Sequence, residues 1–269
     1  MEKYRGMLLS LVMALGLAIP AYAESIVVEG STTVLPIAQR AAEEFMDKNS
    51  GADISVRGGG SGVGITSLIE GTCDIADSSR PIKDEELEKA IIRGKAPKAN
   101  VIAMDGIAMI VNNSNIISEL TKKQVKDIFT GKVSDWSDVG GSGGQIVVVS
   151  RDSASGTFEA FGELALDKAK VRKDALMQAS NQAVVSVVSK TPGAIGYVGL
   201  AYLNGVKALK VDGVMPAKET VLSKQYKFSR PLFMYTNGKP QGLAKEFINF
   251  ILSAAGKNLV DEEGFVSIQ

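Results

Sequence analysis

VVVSRDSASGTFEAF, residues 147–161, sets a run of β-favouring valines before an arginine, then small hydroxyl and glycine residues, then a helix-forming stretch. A strand ending at Arg151 and a helix starting near Gly156 make one β–α unit, with Ser155 a suitable helix cap. The donors gathered at that junction, Arg151, Ser153, Ser155, Gly156 and Thr157, suit a negatively charged group, because a helix start offers unpaired N–H groups. Taken alone, the stretch reads equally well as an ordinary loop with a serine cap.

The same alternation runs outward in both directions. SIVVEG (25–30), ADISVRG (52–58) and CDIADSS (73–79) read as strands, and VLPIAQRAAEEFMDKN (34–49), GVGITSLIEG (62–71) and DEELEKAIIRG (84–94) as the helices that follow them. Beyond these, TKKQVKDIFTG (121–131) and NQAVVSVVSKTPG (181–193) read as helices, AIGYVGL (194–200) as a strand, and GLAKEFINFILSAAGKNLVDEEG (242–264) as a closing helix. The fold class is α/β, with mostly parallel sheets flanked by helices. Two extended apolar stretches, roughly 101–112 and 226–237, lack the polar looseness of linkers and read as crossings between two bodies. The expected organisation is therefore two lobes on a two-strand hinge: residues 24–104 with 232–269, and residues 105–231.

The beginning of the chain is set apart. Lys3 and Arg5 precede an apolar run from Met7 to Ile19 and the small-residue ending Ala21-Tyr22-Ala23, the layout of a secretory signal peptide cut after Ala23. That run is short for a membrane span, and no later stretch approaches the ~20 apolar residues a span needs. The expected location is periplasmic.

Composition excludes whole classes of function. With 30 Lys and Arg against 30 Asp and Glu the formal net charge is zero, which gives no electrostatic footprint for nucleic acid. The one cysteine, Cys73, has no partner for an internal disulfide and reads as a buried structural thiol. No histidine is present, which removes Ser-His-Asp and Cys-His nucleophiles and the commonest transition-metal ligand. No cofactor, no metal and no catalytic residue is expected.

The donor-rich junction recurs. EGSTTVLP (29–36) places Ser31, Thr32 and Thr33 between strand and helix, and RGGGSGVGI (57–65) does so with Gly58 to Gly60 and Ser61. ADSSRP (76–81) supplies Ser78, Ser79 and Arg80, and QASNQAVV (178–185) supplies Ser180 and Asn181. In open α/β sheets, ligands sit beyond the carboxyl ends of the strands, where such loops gather. One loop of this kind is usually a cap or a turn; the opening junction together with the first three of these, Arg80 and Arg151 among their donors, points to a bound anion. GGGSGVG lacks the third glycine of a dinucleotide fingerprint and the Gly-Lys-Ser/Thr ending of a phosphate-binding P-loop.

GSTTVLP, GGGSGVG, DIADSSRPI, LTKKQVKDIFTGKVSDW, RDSASGT and AIGYVGL, in that order after a signal peptide, resemble the periplasmic phosphate-binding receptors of high-affinity phosphate ABC transporters. The resemblance covers nearly all of the chain past the signal peptide. It implies the two-lobed type II periplasmic binding fold, inorganic phosphate held between the lobes, and delivery to the membrane permease subunits by a monomer. Carried onto this sequence, it implies phosphate-binding roles for Ser31, Thr32, Thr33, Val34, Ser61, Ser79, Arg80, Arg151, Ser155, Gly156 and Thr157. Where longer members have an aspartate that accepts the phosphate proton, this chain has Ser79. Strand alternation puts Asp77 on the same face as Ser79, so Asp77 is the expected helper in discriminating phosphate from sulfate, with bracing of Arg80 as its other reading. The rivals are a receptor for another tetrahedral oxyanion, a secreted hydrolase, and an adhesion protein that has kept the fold.

Overall fold

Three β–α units come first: β1 (Glu24–Gly30) with α1 (Leu35–Lys48), β2 (Ala52–Gly58) with α2 (Ser61–Glu70), and β3 (Ile75–Ser78) with α3 (Asp84–Ile92). A 15-residue strand, β4 (Pro97–Val111), leads out of this half. The next half holds β5 (Glu119–Leu120), α4 (Lys122–Thr130), β6 (Val147–Arg151), α5 (Gly156–Leu164), β7 (Leu176–Gln178), α6 (Asn181–Lys190) and β8 (Ala194–Gly199). It continues with the short β9 (Lys207–Ala208), β10 (Lys210–Val211) and α7 (Lys218–Leu222). β11 (Ser229–Asn237) then leads back, and α8 (Gly242–Leu252), α9 (Ala254–Glu262) and β12 (Val266–Ser267) follow. The computed structural model describes residues 24–268, so the expected signal peptide and its cleavage point lie outside the described residues.

The main sheet runs in the order β2-β1-β3-β11-β4-β8-β6-β7. β1 pairs in parallel with β2 and β3, and β6 in parallel with β7 and β8, as short β–α crossovers require. The two long strands between them are antiparallel to each other, and each is antiparallel to the neighbour on its other side. Each half is thus a parallel β–α sheet, joined through the β4–β11 ladder.

The apolar residues divide between the halves along those two strands. One core gathers Val28, Ile37, Phe45, Ile75, Ile102, Leu232, Phe247 and Phe265. Another gathers Ile107, Phe129, Trp136, Phe161, Tyr197, Tyr226 and Phe228. The change of core falls between Ala103 and Ile107 on the outgoing strand and between Phe228 and Leu232 on the returning one. Phe161 stacks on Tyr197 with ring centres 3.9 Å apart, and burying a side chain of that size is worth about 1.5–3 kcal/mol.

Local signals account for the element ends. In α1, Pro36 sits in the first turn and Ile37, Ala38, Ala41, Ala42 and Phe45 form the buried face. Thr121 and Gln124 cap α4 reciprocally, and Gly131 closes it in the left-handed conformation. Cys73 lies just ahead of β3, buried, with Sγ 3.7 Å from the Gly64 carbonyl; burial pushes its thiol up to about 12, so it stays protonated. The stretch 242–264 departs from the single helix expected. Ser253 takes an extended backbone and its Oγ accepts from the Gly256 N–H, ending α8 and capping α9. The small strands β5, β7, β9, β10 and β12 also go beyond the sequence expectation, because two or three residues carry no periodicity.

Candidate functional site

β1 and β3 end side by side at the seam between the halves, and β6 of the other half ends within reach of the β1 loop. Gly30, the last residue of β1, has φ +143°, and a Cβ on it would stand 2.2 Å from the Asp77 carbonyl, so only glycine lets β1 and β3 approach this closely. The Ser31 N–H donates to that carbonyl at 2.9 Å, and Ser31 Oγ accepts from the Thr33 N–H at 3.1 Å. The loop 31–34 is held buried at the head of α1.

From the other half, β6 delivers Arg151. Its side chain is 1% exposed and is held by three acceptors. Nε donates to the Gln178 carbonyl at 3.1 Å, and Nη2 to the Ala179 carbonyl at 2.9 Å and to Thr32 Oγ1 at 3.2 Å. Nη1 is the exception: it is buried and has no acceptor in the protein. Burial pulls the Arg151 pKa down from its usual value, yet arginine remains charged in proteins. A buried guanidinium with one nitrogen unspent is a counter-charge for an anion.

Arg151 leads into the start of α5. Ser155 Oγ accepts from the Phe158 N–H at 3.2 Å, which leaves the N–H groups of Gly156 and Thr157 in the unpaired first turn. Gly156 faces the opposite half so closely that a Cβ on it would lie 2.3 Å from Ser61 Oγ and 2.8 Å from Ser79 Oγ. Those two hydroxyls adjoin each other at 3.4 Å, and Ser61 Oγ accepts the Ser79 N–H at 3.0 Å. The Gly62 N–H donates to the Ala154 carbonyl at 3.0 Å, and the Thr33 and Thr157 hydroxyls lie 2.9 Å apart. Ser31, Thr32, Thr33, Ser61, Ser79, Arg151, Ser155, Gly156 and Thr157 therefore converge on one buried seam. Val34 differs within the loop, since its N–H donates to the Ser31 carbonyl and its side chain belongs to the core.

Arg80 departs from the role expected for it. Its Nη1 and Nη2 donate to the two oxygens of Glu86, each at 2.7 Å, and Nη1 also reaches the Pro81 carbonyl at 2.9 Å. Nε stands 2.7 Å from Glu159 Oε2 on α5, an ion pair without hydrogen-bond alignment, and Lys83 Nζ is 2.6 Å from Oε1 of the same carboxylate. With two carboxylates already on its guanidinium, Arg80 braces the halves rather than facing an anion. A groove of about 500 Å³ runs past this cluster, lined by Ser79, Lys83, Glu159 and Arg230 among others.

Asp77 also departs from expectation. It lies in β3 opposite Gly30 and Met234, is 1% exposed, and neither carboxyl oxygen has a hydrogen-bond partner. Burial pushes its pKa well above the usual carboxylate range, which favours the neutral form. It bonds neither Ser79, which turns to Ser61, nor Arg80, which is taken up by Glu86 and Glu159.

Three site residues went unassigned in the sequence. Arg230 of β11 is 4% exposed and donates from Nε and Nη2 to Asp105 Oδ2 of β4 at 3.3 and 3.0 Å. It also donates from Nη1 to the Ser79 carbonyl at 3.1 Å and from Nη2 to Thr157 Oγ1 at 2.9 Å. Asp105 further accepts the Leu200 N–H at 3.0 Å; burial raises its carboxyl and the adjoining Arg230 charge opposes that. Asn181, noted only as a loop donor, gives Nδ2 to Thr32 Oγ1 at 3.3 Å and to Thr33 Oγ1 at 3.1 Å. The available signal was a charged residue inside each apolar crossing stretch: Asp105 in the first, and Arg230, with Lys227 three residues before it, in the second.

Comparison with known proteins places this geometry. Residues 19–255 match the model of the PBP superfamily domain. The phosphate-binding protein PstS of Bacillus subtilis is 36% identical over 247 residues, covering 91% of this chain and 81% of that protein. The solved structure of a putative phosphate ABC transporter substrate-binding protein with bound phosphate, from Clostridium perfringens, has a TM-score of 0.86 at 36% identity, covering 91% of this chain and 100% of that one. An ABC-type phosphate transport receptor from Vibrio cholerae has a TM-score of 0.74 at 29% identity, covering 90% of this chain and 100% of that one. A shared superfamily domain across most of the length, together with relatives this similar over four-fifths or more of their own length, places the chain in the PBP superfamily and, within it, in the family of the PstS phosphate-binding proteins.

Proposed function

We propose that this protein is the phosphate receptor of an ABC-type phosphate importer, holding one inorganic phosphate between its two halves and handing it to the membrane permease subunits. The observation that carries the reading is Arg151 Nη1, a charged nitrogen buried at the end of β6 with no protein acceptor. Around it stand Thr32, Thr157 and the first-turn N–H groups of α5, with Ser61 and Ser79 facing Gly156. Several hydrogen bonds to a charged group, about 1.5–3 kcal/mol each, suffice for the ~8 kcal/mol of micromolar binding after the anion is dehydrated. The lobes are residues 24–104 with 232–269, and 105–231, and phosphate binding closes them about β4 and β11. The receptor acts as a periplasmic monomer and performs no chemistry on its ligand. Among the described residues no helix is long and apolar enough to cross a membrane.

Calorimetric titration with phosphate, arsenate, sulfate and molybdate tests the reading. One phosphate per chain, bound at micromolar or tighter affinity, is expected. Sulfate or molybdate bound as tightly as phosphate replaces the proposal with a general oxyanion receptor, and no heat with any of the four overturns it.

A further inference from the structure

A hydroxyl group has one proton to give and two lone pairs to receive with, so a fully surrounded threonine has its direction fixed. Thr33 Oγ1 is approached by Asn181 Nδ2 at 3.1 Å and, at 3.4 Å, by the Arg230 Nη2 proton it shares with Thr157 Oγ1, the other Nη2 proton going to Asp105; both neighbours are donors only. The Asn181 amide is oriented by its other end, since Oδ1 accepts the Gly199 N–H at 3.3 Å. With both lone pairs addressed, Thr33 gives its proton to Thr157 Oγ1, 2.9 Å away. Thr157 Oγ1 then receives from Thr33 and from Arg230 Nη2 at 2.9 Å. Its own proton is left to point elsewhere, and no other protein acceptor is bonded to it. Thr32 Oγ1 is in the same position, receiving from Arg151 Nη2 at 3.2 Å and from the second Asn181 N–H at 3.3 Å. The opposite direction, Thr157 giving to Thr33, would crowd a third proton against the Asn181 proton and the shared Arg230 proton that already face Thr33 Oγ1.

We propose that Asn181 and Arg230 are positioning residues that lock the Thr32 and Thr157 hydroxyls as hydrogen-bond donors toward the bound anion. The proposal rests on the phosphate reading of this site. Neither residue needs to touch the ligand. Asn181 comes from the start of α6 and Arg230 from β11, whereas Thr33 and Thr157 lie on opposite sides of the seam. The chain Asn181 to Thr33 to Thr157 is therefore complete only when the halves are together, which couples closure to donor orientation. A threonine locked in this way offers no lone pair to an anion O–H, so the site demands a bare oxygen at each of the two positions.

A double-mutant cycle separates this role from plain bracing of the halves. Phosphate affinity is measured by calorimetry for wild type, Asn181→Ala, Thr157→Val and the double variant, with thermal unfolding followed alongside. Asn181→Ala is expected to weaken phosphate about 10-fold in the wild-type background but only about 3-fold in the Thr157→Val background, where the Thr32 hydroxyl alone is left to orient. Thr33→Val, nearly the same shape, is expected to show the same dependence on Thr157 and closes the cycle if Asn181→Ala does not fold. Equal losses in both backgrounds, or no loss for either Asn181→Ala or Thr33→Val, overturn the proposal alone. Wild type that binds no phosphate overturns the phosphate reading and this proposal with it.

Discussion

Arg80 and Glu159 meet across the seam between the two halves, Nε to Oε2 at 2.7 Å, and Lys83 Nζ holds the other oxygen of the same carboxylate at 2.6 Å. Glu159 lies two residues beyond Thr157 on α5, and Arg80 one residue beyond Ser79, so the cluster ties together the segments that carry the site. Its side chains range from 5% exposed at Arg80 to 40% at Lys83, which places it between a screened surface pair and a buried one. Glu159→Gln is expected to weaken phosphate about 3–10-fold and to raise the radius of gyration of the ligand-free protein, because an ion pair made only on closure favours the closed form. Small-angle scattering and calorimetry check this; an unchanged radius with unchanged affinity refutes the brace.

Gly156 gives a sharper steric test. A methyl group there would stand 2.3 Å from Ser61 Oγ and 2.8 Å from Ser79 Oγ, both on the opposite half. Opening of the halves relieves that clash without disturbing either core. Gly156→Ala should thus lose phosphate affinity by at least about 100-fold while its thermal midpoint without phosphate falls by only a few degrees, alanine being favoured over glycine in a helix. A variant that binds normally would show that the halves do not close as described.

Asp77 makes a prediction about pH. Its folded-state pKa is raised by burial, so the folded protein holds a proton that the unfolded chain releases near the ordinary aspartate value of about 3.9. Stability from this group is complete below that value and is lost as pH climbs from there toward the raised folded pKa, at up to about 1.4 kcal/mol per unit. Asp77→Asn removes the dependence. The gap in unfolding free energy, variant minus wild type, is expected to grow in the variant's favour between about pH 4 and neutrality. Denaturant melts at several pH values measure it, and a gap flat with pH contradicts the neutral, unpartnered carboxyl. The same variant is expected to keep its phosphate-over-sulfate preference within about 2-fold, since Asp77 bonds nothing in the site.

What the sequence revealed and what it hid divide along a physical line. β–α periodicity, the apolar crossing strands and the hydroxyl-rich junctions are local, and each appears in the fold near where the residues place it. Arg151, Ser155, Gly156 and Thr157 were legible because strand end, cap and helix start are contiguous in the chain. The partners of a long side chain are not local. Arg80 looked like an anion ligand until Glu86 and Glu159 came to it, the second from 79 positions away in the chain. Arg230 and Asn181 act on Thr33 from 197 and 148 residues away, so no motif contains them together. Ser253 split the last helix through a cap, a signal outweighed by the apolar run on either side.

Arg151 is the central charge of the proposed site, and calorimetric titration of phosphate into wild type and Arg151→Ala tests that role most directly. Loss of this buried counter-charge is expected to cost about 2–4 kcal/mol, which is roughly a 30- to 1,000-fold rise in Kd, from a wild type that binds one phosphate per chain. An Arg151→Ala protein that remains folded and binds phosphate as tightly as wild type would contradict the assignment of this seam as the phosphate site.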